Sequence, residues 1–225
     1  MTKQTSEMRL YDRSSQRLYI NASERIRFIK AAIRQPLHIQ TFALTLLYTG
    51  CRLSEARELD ISRLQADEQL LAIRSLKKRN KHHIREIPIP VSLVQNLNKF
   101  AARAESQKTL LKQEHTRKNQ NNSLSDKTEN ASKLDQDWFW ASETGDKIDR
   151  ITAYRWIKTI MDDAGIHGPQ ACPKGLRHGF GIHAVISGIQ LNMLQKWMGH
   201  ASIQTTAIYA NAVGPEEIRL ARNMW

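Results

Sequence analysis

Apolar positions first take on a regular rhythm after Asn21, where Ile26, Ile29 and Ile33 recur at helical spacing behind the capping-box pair Asn21 and Glu24. The pattern predicts a helix with those isoleucines facing inward. Residues 1–20 are polar and lack a period, so they read as a flexible arm. From about His38, the residues Phe42, Leu44, Leu46, Leu47 and Tyr48 make a helix apolar nearly all round, and Gly50 is placed to end it. Such a helix belongs in a core. Leu53, Ala56 and Leu59 then set the inward face of a short helix, leaving Arg52, Ser54 and Glu55 around its first turn.

The period changes in the next stretch. Residues 70–75 and 84–89 read as two strands of a hairpin that Pro90 ends, joined by the basic connection Lys77-Lys78-Arg79-Asn80-Lys81-His82-His83. Ser92 caps a helix whose inward residues are Leu93, Val94, Leu97, Phe100 and Ala101. Residues 113–135 are almost all polar or charged, too poor in apolar area to offset their ordering entropy, and read as a disordered surface insertion. Trp138, Phe139 and Trp140 restart the fold, and Tyr154, Ile157 and Met161 mark a helix ending near Gly165. Short helices follow over 176–187, 191–198 and 203–210, with Gly188 and Gly199 as stops. Residues 215–225 form a tail in which Pro215 suits a helix start.

Charge narrows the choice of partner. The 225 residues hold 34 Lys plus Arg against 22 Asp plus Glu, a formal charge of +12, which favours a polyanion: nucleic acid or an acidic membrane surface. No run of eighteen apolar residues and no signal peptide is visible, so the expectation is a soluble protein of the cytoplasm. Cys51 and Cys172 stand far apart without a CxxC spacing, which suits free thiols in a reducing compartment.

Six groups at helix ends or in loops could act together on a phosphodiester: Arg52, Lys78, Lys174, Arg177, His200 and Tyr209. Two arginines can bind the non-bridging oxygens of a phosphate by forked, charge-assisted hydrogen bonds. A lysine can protonate a departing 5′ oxygen. His200, with a reference pKa of about 6.5, can donate to the phosphate or manage the tyrosine proton. A phenol with a reference pKa of about 10 becomes a nucleophile when cationic neighbours favour its phenolate, and the arginines and His200 are the groups to supply that charge. A phosphotyrosyl bond retains the energy of the broken phosphodiester, so resealing needs no ATP. The chain shows no GxxxxGK[ST] loop and no carboxylate cluster for magnesium. His82-His83 and the pair His178 and His183 could suggest zinc instead, but the latter are split across two faces of a helix and no cysteine pair joins them. His178 and His183 lie among Leu176, Phe180 and Ala184 and read as structural histidines; Trp197 reads as core packing.

Thr49-Gly50-Cys51-Arg52-Leu53-Ser54-Glu55 resembles the first signature box of the tyrosine recombinases, the phage integrase family. Lys174-Gly175-Leu176-Arg177-His178, with Gly199-His200 and Ile208-Tyr209, resembles the second, at that family's intervals. The resemblance spans about residues 21–212. It implies an α+β, mostly helical catalytic domain over 21–214 with a small antiparallel sheet. It also implies cleavage and rejoining of double-stranded DNA through a 3′-phosphotyrosyl intermediate, without cofactor or metal, by four protomers on two DNA sites at the nucleoid. Carried onto this chain, Arg52 and Arg177 clamp the scissile phosphate, Tyr209 is the nucleophile, His200 assists and Glu55 orients its neighbours. Lys78 falls in the catalytic lysine region, with Lys77 and Lys81 as alternatives; Lys77, Arg79, Lys81 and Arg85 would contact DNA. Lys174 stands where a histidine is usual. Only about twenty residues precede the first helix, so the expectation is a chain without the family's N-terminal clamping domain. That fits short invertase-like members or a truncated remnant, with the tail docking on a neighbouring protomer. A topoisomerase-like enzyme that relaxes DNA and a noncatalytic DNA-binding regulator are the alternatives.

Overall fold

The computed structural model describes residues 9–76, 83–103, 106, 137–142, 145–211, 218 and 221–222. Helix α1 (Ala22–Ile33) begins with the expected capping box: Glu24 N–H donates to Asn21 Oδ1 and Asn21 N–H donates to Glu24. Its inward face is a correction in part, since Ile29 packs against the core as expected. Phe28, Ala31 and Ala32 are buried, whereas Ile26 and Ile33 are more than half exposed. Two apolar stripes run along this helix, and periodicity cannot choose between them. The alanine stripe lets α2 and α5 approach closely, and the cap fixes the rotation. Glu24, itself buried, also accepts from both arms of Arg17 and from Gln170. Burial opposes its ionisation, yet these bonds outweigh burial and hold its pKa below the ordinary value.

The same carboxylate corrects the loose arm expected before Asn21. Leu10, Tyr19 and Ile20 are buried, Tyr11 bridges Arg17, and Ile20 N–H donates to the Gly175 carbonyl. Residues 9–20 are therefore part of the packed fold. Helix α2 (Leu37–Thr49) is buried along most of its length and ends at Gly50 in the left-handed conformation. Helix α3 (Leu53–Arg57) follows, with Arg52 at its N-cap. A single 3₁₀ turn leads to an antiparallel sheet in the order β1 (Leu64–Gln65), β2 (Leu70–Arg74) and β3 (Ile84–Pro88), one strand more than the hairpin expected.

Helix α4 spans 91–103. The Pro90 carbonyl accepts from Leu93 and Val94, so Ser92 lies inside the first turn rather than capping it. The expected insertion over 113–135 and most of the tail lie outside the described residues. Trp140 packs edge-on against Phe42 and donates to Thr41. Helix α5 (Arg150–Asp163) buries Ile157 and Met161 but leaves Tyr154 exposed. Helix α6 (Pro173–Ile186) starts at Pro173, three residues before the predicted boundary, so Lys174 sits in its first turn. Helices α7 (Leu191–Met198) and α8 (Ile203–Ala207) are followed by a 3₁₀ turn, Ile208–Asn211, that carries Tyr209. Two apolar clusters result: a large one around α1, α2 and α5, and a smaller one joining Leu10, Tyr19, Phe180, Leu194, Met198 and Tyr209. Among the described residues, no helix is long and apolar enough to cross a membrane.

Candidate active site

Three segments meet beside the N-terminus of α3. In the first, the Arg52 N–H donates to Glu55 Oε2 at 2.9 Å and its guanidinium donates to Oε1 at 2.8 Å. Arg85, on β3, adds a bond to Oε2 at 2.6 Å. One buried carboxylate thus lies between two guanidiniums. Burial alone would raise the Glu55 pKa; the charge of Arg85, the Arg52 N–H and the charge of Arg52 outweigh it, and the net shift is downward.

Arg85 therefore departs from the expected DNA contact. Its side chain is 1% exposed and it is tied to Glu55, Ser75 and the Trp197 carbonyl. The strand alternation held the signal: Arg85 shares a face with Ile87, and both point inward. Lys77, Lys78, Arg79 and Lys81 lie outside the described residues. The base of their connection is closed by the Ser75 N–H donating to the His83 carbonyl.

In the second segment, α6 carries Arg177, 6% exposed. It donates to the Gly50 carbonyl at 2.6 Å, to the Met198 carbonyl at 2.7 Å and to His200 Nε2 at 2.9 Å. Three of its five N–H groups are so engaged, all by neutral acceptors, and among the described residues no carboxylate bonds it. Burial, then the charge of Arg52, lowers its pKa to about 10, so it stays cationic at neutral pH.

The third segment is the turn between α7 and α8. A guanidinium only donates, so His200 Nε2 accepts, and Nδ1 carries the proton it donates to Thr206 Oγ1 at 2.9 Å. Burial, then Arg177 and Arg52, pulls the His200 pKa to about 3. His200 is neutral at pH 7, which corrects the expectation that it adds positive charge beside the tyrosine.

Tyr209 is fully buried. Its ring lies against Gly181, where a Cβ would come within 2.6 Å of the ring carbons, so only glycine fits at that point of α6. The ring stacks on His200 at 6.4 Å, and the hydroxyl lies 3.2 Å from His178 Nδ1. Burial raises the Tyr209 pKa well above its ordinary value, and the lowering by Arg177 and Arg52 does not overcome it. The phenol is protonated in this state, contrary to the cation-favoured phenolate expected.

His178, read from sequence as structural, is the nearest polar partner of that phenol. Burial, then the charges of Lys174 and Arg177, lowers its pKa to about 4, and its Nε2 is buried without a hydrogen bond among the described residues. Its place directly after Arg177 was the available signal. Lys174 is exposed at the rim and acts on the cluster through its charge. The structure thus gathers Arg52, Glu55, Arg177, His200 and Tyr209, with Lys174 at the edge. Among the described residues, no three His, Cys, Asp or Glu side chains are placed to hold a metal ion.

A mostly helical domain with a small sheet gathers two arginines, a histidine and a tyrosine at one point, an arrangement with the chemistry to hold an anion beside a phenol. The chain belongs to the phage integrase family, whose model matches residues 18–214. It is 27% identical over 183 residues to tyrosine recombinase XerA of Pyrococcus furiosus, covering 81% of this chain and 53% of that protein. It is 28% identical over 172 residues to tyrosine recombinase XerD of Agrobacterium fabrum, covering 76% and 48%. The chain spans about half the length of these curated relatives. Among solved structures, the XerA recombinase matches with a TM-score of 0.71 at 24% identity, over 92% of this chain and 64% of that one. The XerH site-specific recombinase bound to its difH substrate matches at 0.65 and 16% identity, over 96% and 59%. Both have this fold.

Proposed function

We propose that the chain is a site-specific DNA recombinase that cuts and rejoins strands through a 3′-phosphotyrosyl intermediate, in integration, excision or inversion. The observation that carries it is Arg177, a buried cation bonded among the described residues only to neutral acceptors, with Arg52 and a phenol beside it. A scissile phosphate would supply the missing negative charge, bound by the two Arg177 N–H groups left over and by the exposed arm of Arg52. The Tyr209 oxygen then bonds to phosphorus as the P–O5′ bond breaks; the phenol loses its proton and the 5′ oxygen gains one, for which Lys78 is the candidate donor. Attack by the 5′ hydroxyl on the phosphotyrosine reverses the step and rejoins the strand. Tyr209 must first leave His178, because its hydroxyl is sealed in the smaller apolar cluster. Relatives named as tyrosine recombinases, and a similar fold in a recombinase bound to its DNA substrate, support the same activity here.

The test is a nicked duplex carrying the DNA that flanks the gene. The chain should form an adduct that survives denaturing electrophoresis, and Tyr209→Phe should bind the same DNA without forming it. Binding with no adduct from the unaltered chain would support the noncatalytic regulator instead. Relaxation of supercoiled plasmid without any preferred site would support the topoisomerase-like alternative. Assembly of four protomers on two sites, with residues 215–225 docking on a neighbour, belongs to the same proposal: deleting the tail should abolish synapsis and spare DNA binding.

A further inference from the structure

Arg85 joins three segments that are remote in sequence. Its Nη2 donates to Glu55 Oε2 at 2.6 Å, its Nη1 to Ser75 Oγ at 2.8 Å and its Nε to the Trp197 carbonyl at 2.7 Å. Each bond reaches a different part of the cluster. Glu55 holds Arg52 by both backbone and guanidinium. Ser75 sits at the base of the hairpin whose connection carries Lys77, Lys78 and Lys81, and closes it by bonding His83. Trp197 immediately precedes Met198, whose carbonyl holds Arg177, and the Gly199 turn that presents His200.

The turn also passes close to the guanidinium. Gly199 has φ +65, and a Cβ there would lie 3.2 Å from Arg85 Nη1 and 3.3 Å from Cζ. With Ser75 Oγ at 3.1 Å from the same point, the turn leaves no room for a side chain between itself and the guanidinium. A structural ion pair would require only Glu55. The bonds to Ser75 and Trp197 use the planar fork of the guanidinium in three directions at once, which an ammonium cannot copy.

We propose that Arg85 is a positioning residue of the phosphate-binding cluster: it locks Arg52, the Gly199–His200 turn and the base of the lysine-bearing hairpin into one frame. Its consequence for catalysis rests on the recombinase function proposed above, whereas the frame itself is a matter of geometry. An error of about 1 Å in the placement of site groups costs on the order of 10²-fold in rate.

Two measurements on the unaltered chain, Arg85→Lys and Arg85→Met test this. The first needs no DNA: proton NMR of the His200 imidazole N–H donated to Thr206, which the frame should protect from exchange with water. Both variants, shown folded by thermal denaturation, should lose that protection. The second is adduct formation on the nicked duplex at saturating and limiting DNA. The saturated rate should fall about 10²-fold in Arg85→Lys, with the half-saturating DNA concentration changed less than about threefold. An unchanged His200 proton in the folded variants overturns the proposal whatever the DNA assay gives. A loss confined to the half-saturating concentration overturns it too, and returns Arg85 to the role of a DNA contact. Absence of adduct from the unaltered chain defeats only the recombinase function, and the His200 proton still decides the frame. If Arg85→Met does not fold, Ser75→Ala, which removes a single bond of the frame, takes its place beside Arg85→Lys, with a smaller loss of protection expected.

Discussion

The two arginines of the cluster are held in opposite ways. Arg52 lies at the mouth, a quarter of its side chain exposed, and its charge is met by Glu55, which also meets Arg85. Arg177 lies within, more deeply buried, and is met by two carbonyls and an imidazole. On the α3 side one carboxylate serves two guanidiniums; on the α6 side, among the described residues, none bonds the arginine. An internal carboxylate makes a rigid support, because removing either partner exposes the cost of burying the other. A buried cation with neutral acceptors keeps its field for an anion that arrives later. On the proposed function, the contrast separates Glu55 and Arg85, which build the site, from Arg177 and the outer arm of Arg52, which would bind.

Glu55→Gln should give the largest effect on stability. It leaves Arg85 buried without a counter-charge and should cost about 3–5 kcal/mol, read from the denaturant midpoint. A loss below about 1 kcal/mol would mean that the carboxylate is not what supports the α3 side.

Acid should act first on the α6 side. Folded His178 and His200 take up protons only near pH 4 and 3, whereas unfolded histidine does so near pH 6.5. As pH falls below about 6.5, the unfolded chain gains protons that the folded chain refuses. Each histidine then removes about 1.4 kcal/mol per pH unit until its folded pKa is reached. Glu24 and Glu55, whose pKa values are lowered, stabilise the fold above about 4.5 and add their loss only as pH falls through that range. Denaturant midpoints flat from pH 7.5 to 5 would show that these imidazoles are not neutral and buried in solution.

An anion should stabilise through Arg177. Inorganic phosphate should stabilise the fold at neutral pH by about 2.7 kcal/mol at a hundredfold excess over its dissociation constant, read as a rise in melting temperature. Arg177→Met should not respond. Equal stabilisation of both would place the bound anion elsewhere. The smallest change is expected from Lys174→Gln. Stability should stay within about 0.5 kcal/mol, because the side chain is exposed. The His178 pKa, followed by NMR, should move upward from about 4, since Lys174 is one of the charges that lower it.

Much of the fold was legible because local signals agreed. Asn21 and Glu24 announced their capping box, Gly50 and Gly199 ended their helices, and the 191–198 helix was bounded to the residue. The errors arose where the partner of a side chain was remote. Ile26 and Ile33 matched a helical period as well as Phe28 did, and only packing against α2 and α5 chose between the stripes. Arg85 looked like an extension of a basic loop until its strand turned it inward onto Glu55. His178, read as a buried structural histidine, is buried, and the 3₁₀ turn at 208–211 brings the Tyr209 hydroxyl to it, a contact no local pattern announces.

By itself the sequence determined which chemical groups are available and how they are spaced: two arginines, a histidine and a tyrosine, at helix ends and in turns. Their types and intervals are properties of the chain, independent of where it folds. Only the tertiary structure decided their states. Burial made His200 neutral and raised the Tyr209 pKa, packing set Arg177 against neutral acceptors, and Glu55 drew Arg52 and Arg85 together. Protonation and pairing depend on desolvation and on distances between residues far apart in the chain, and both come into being with packing.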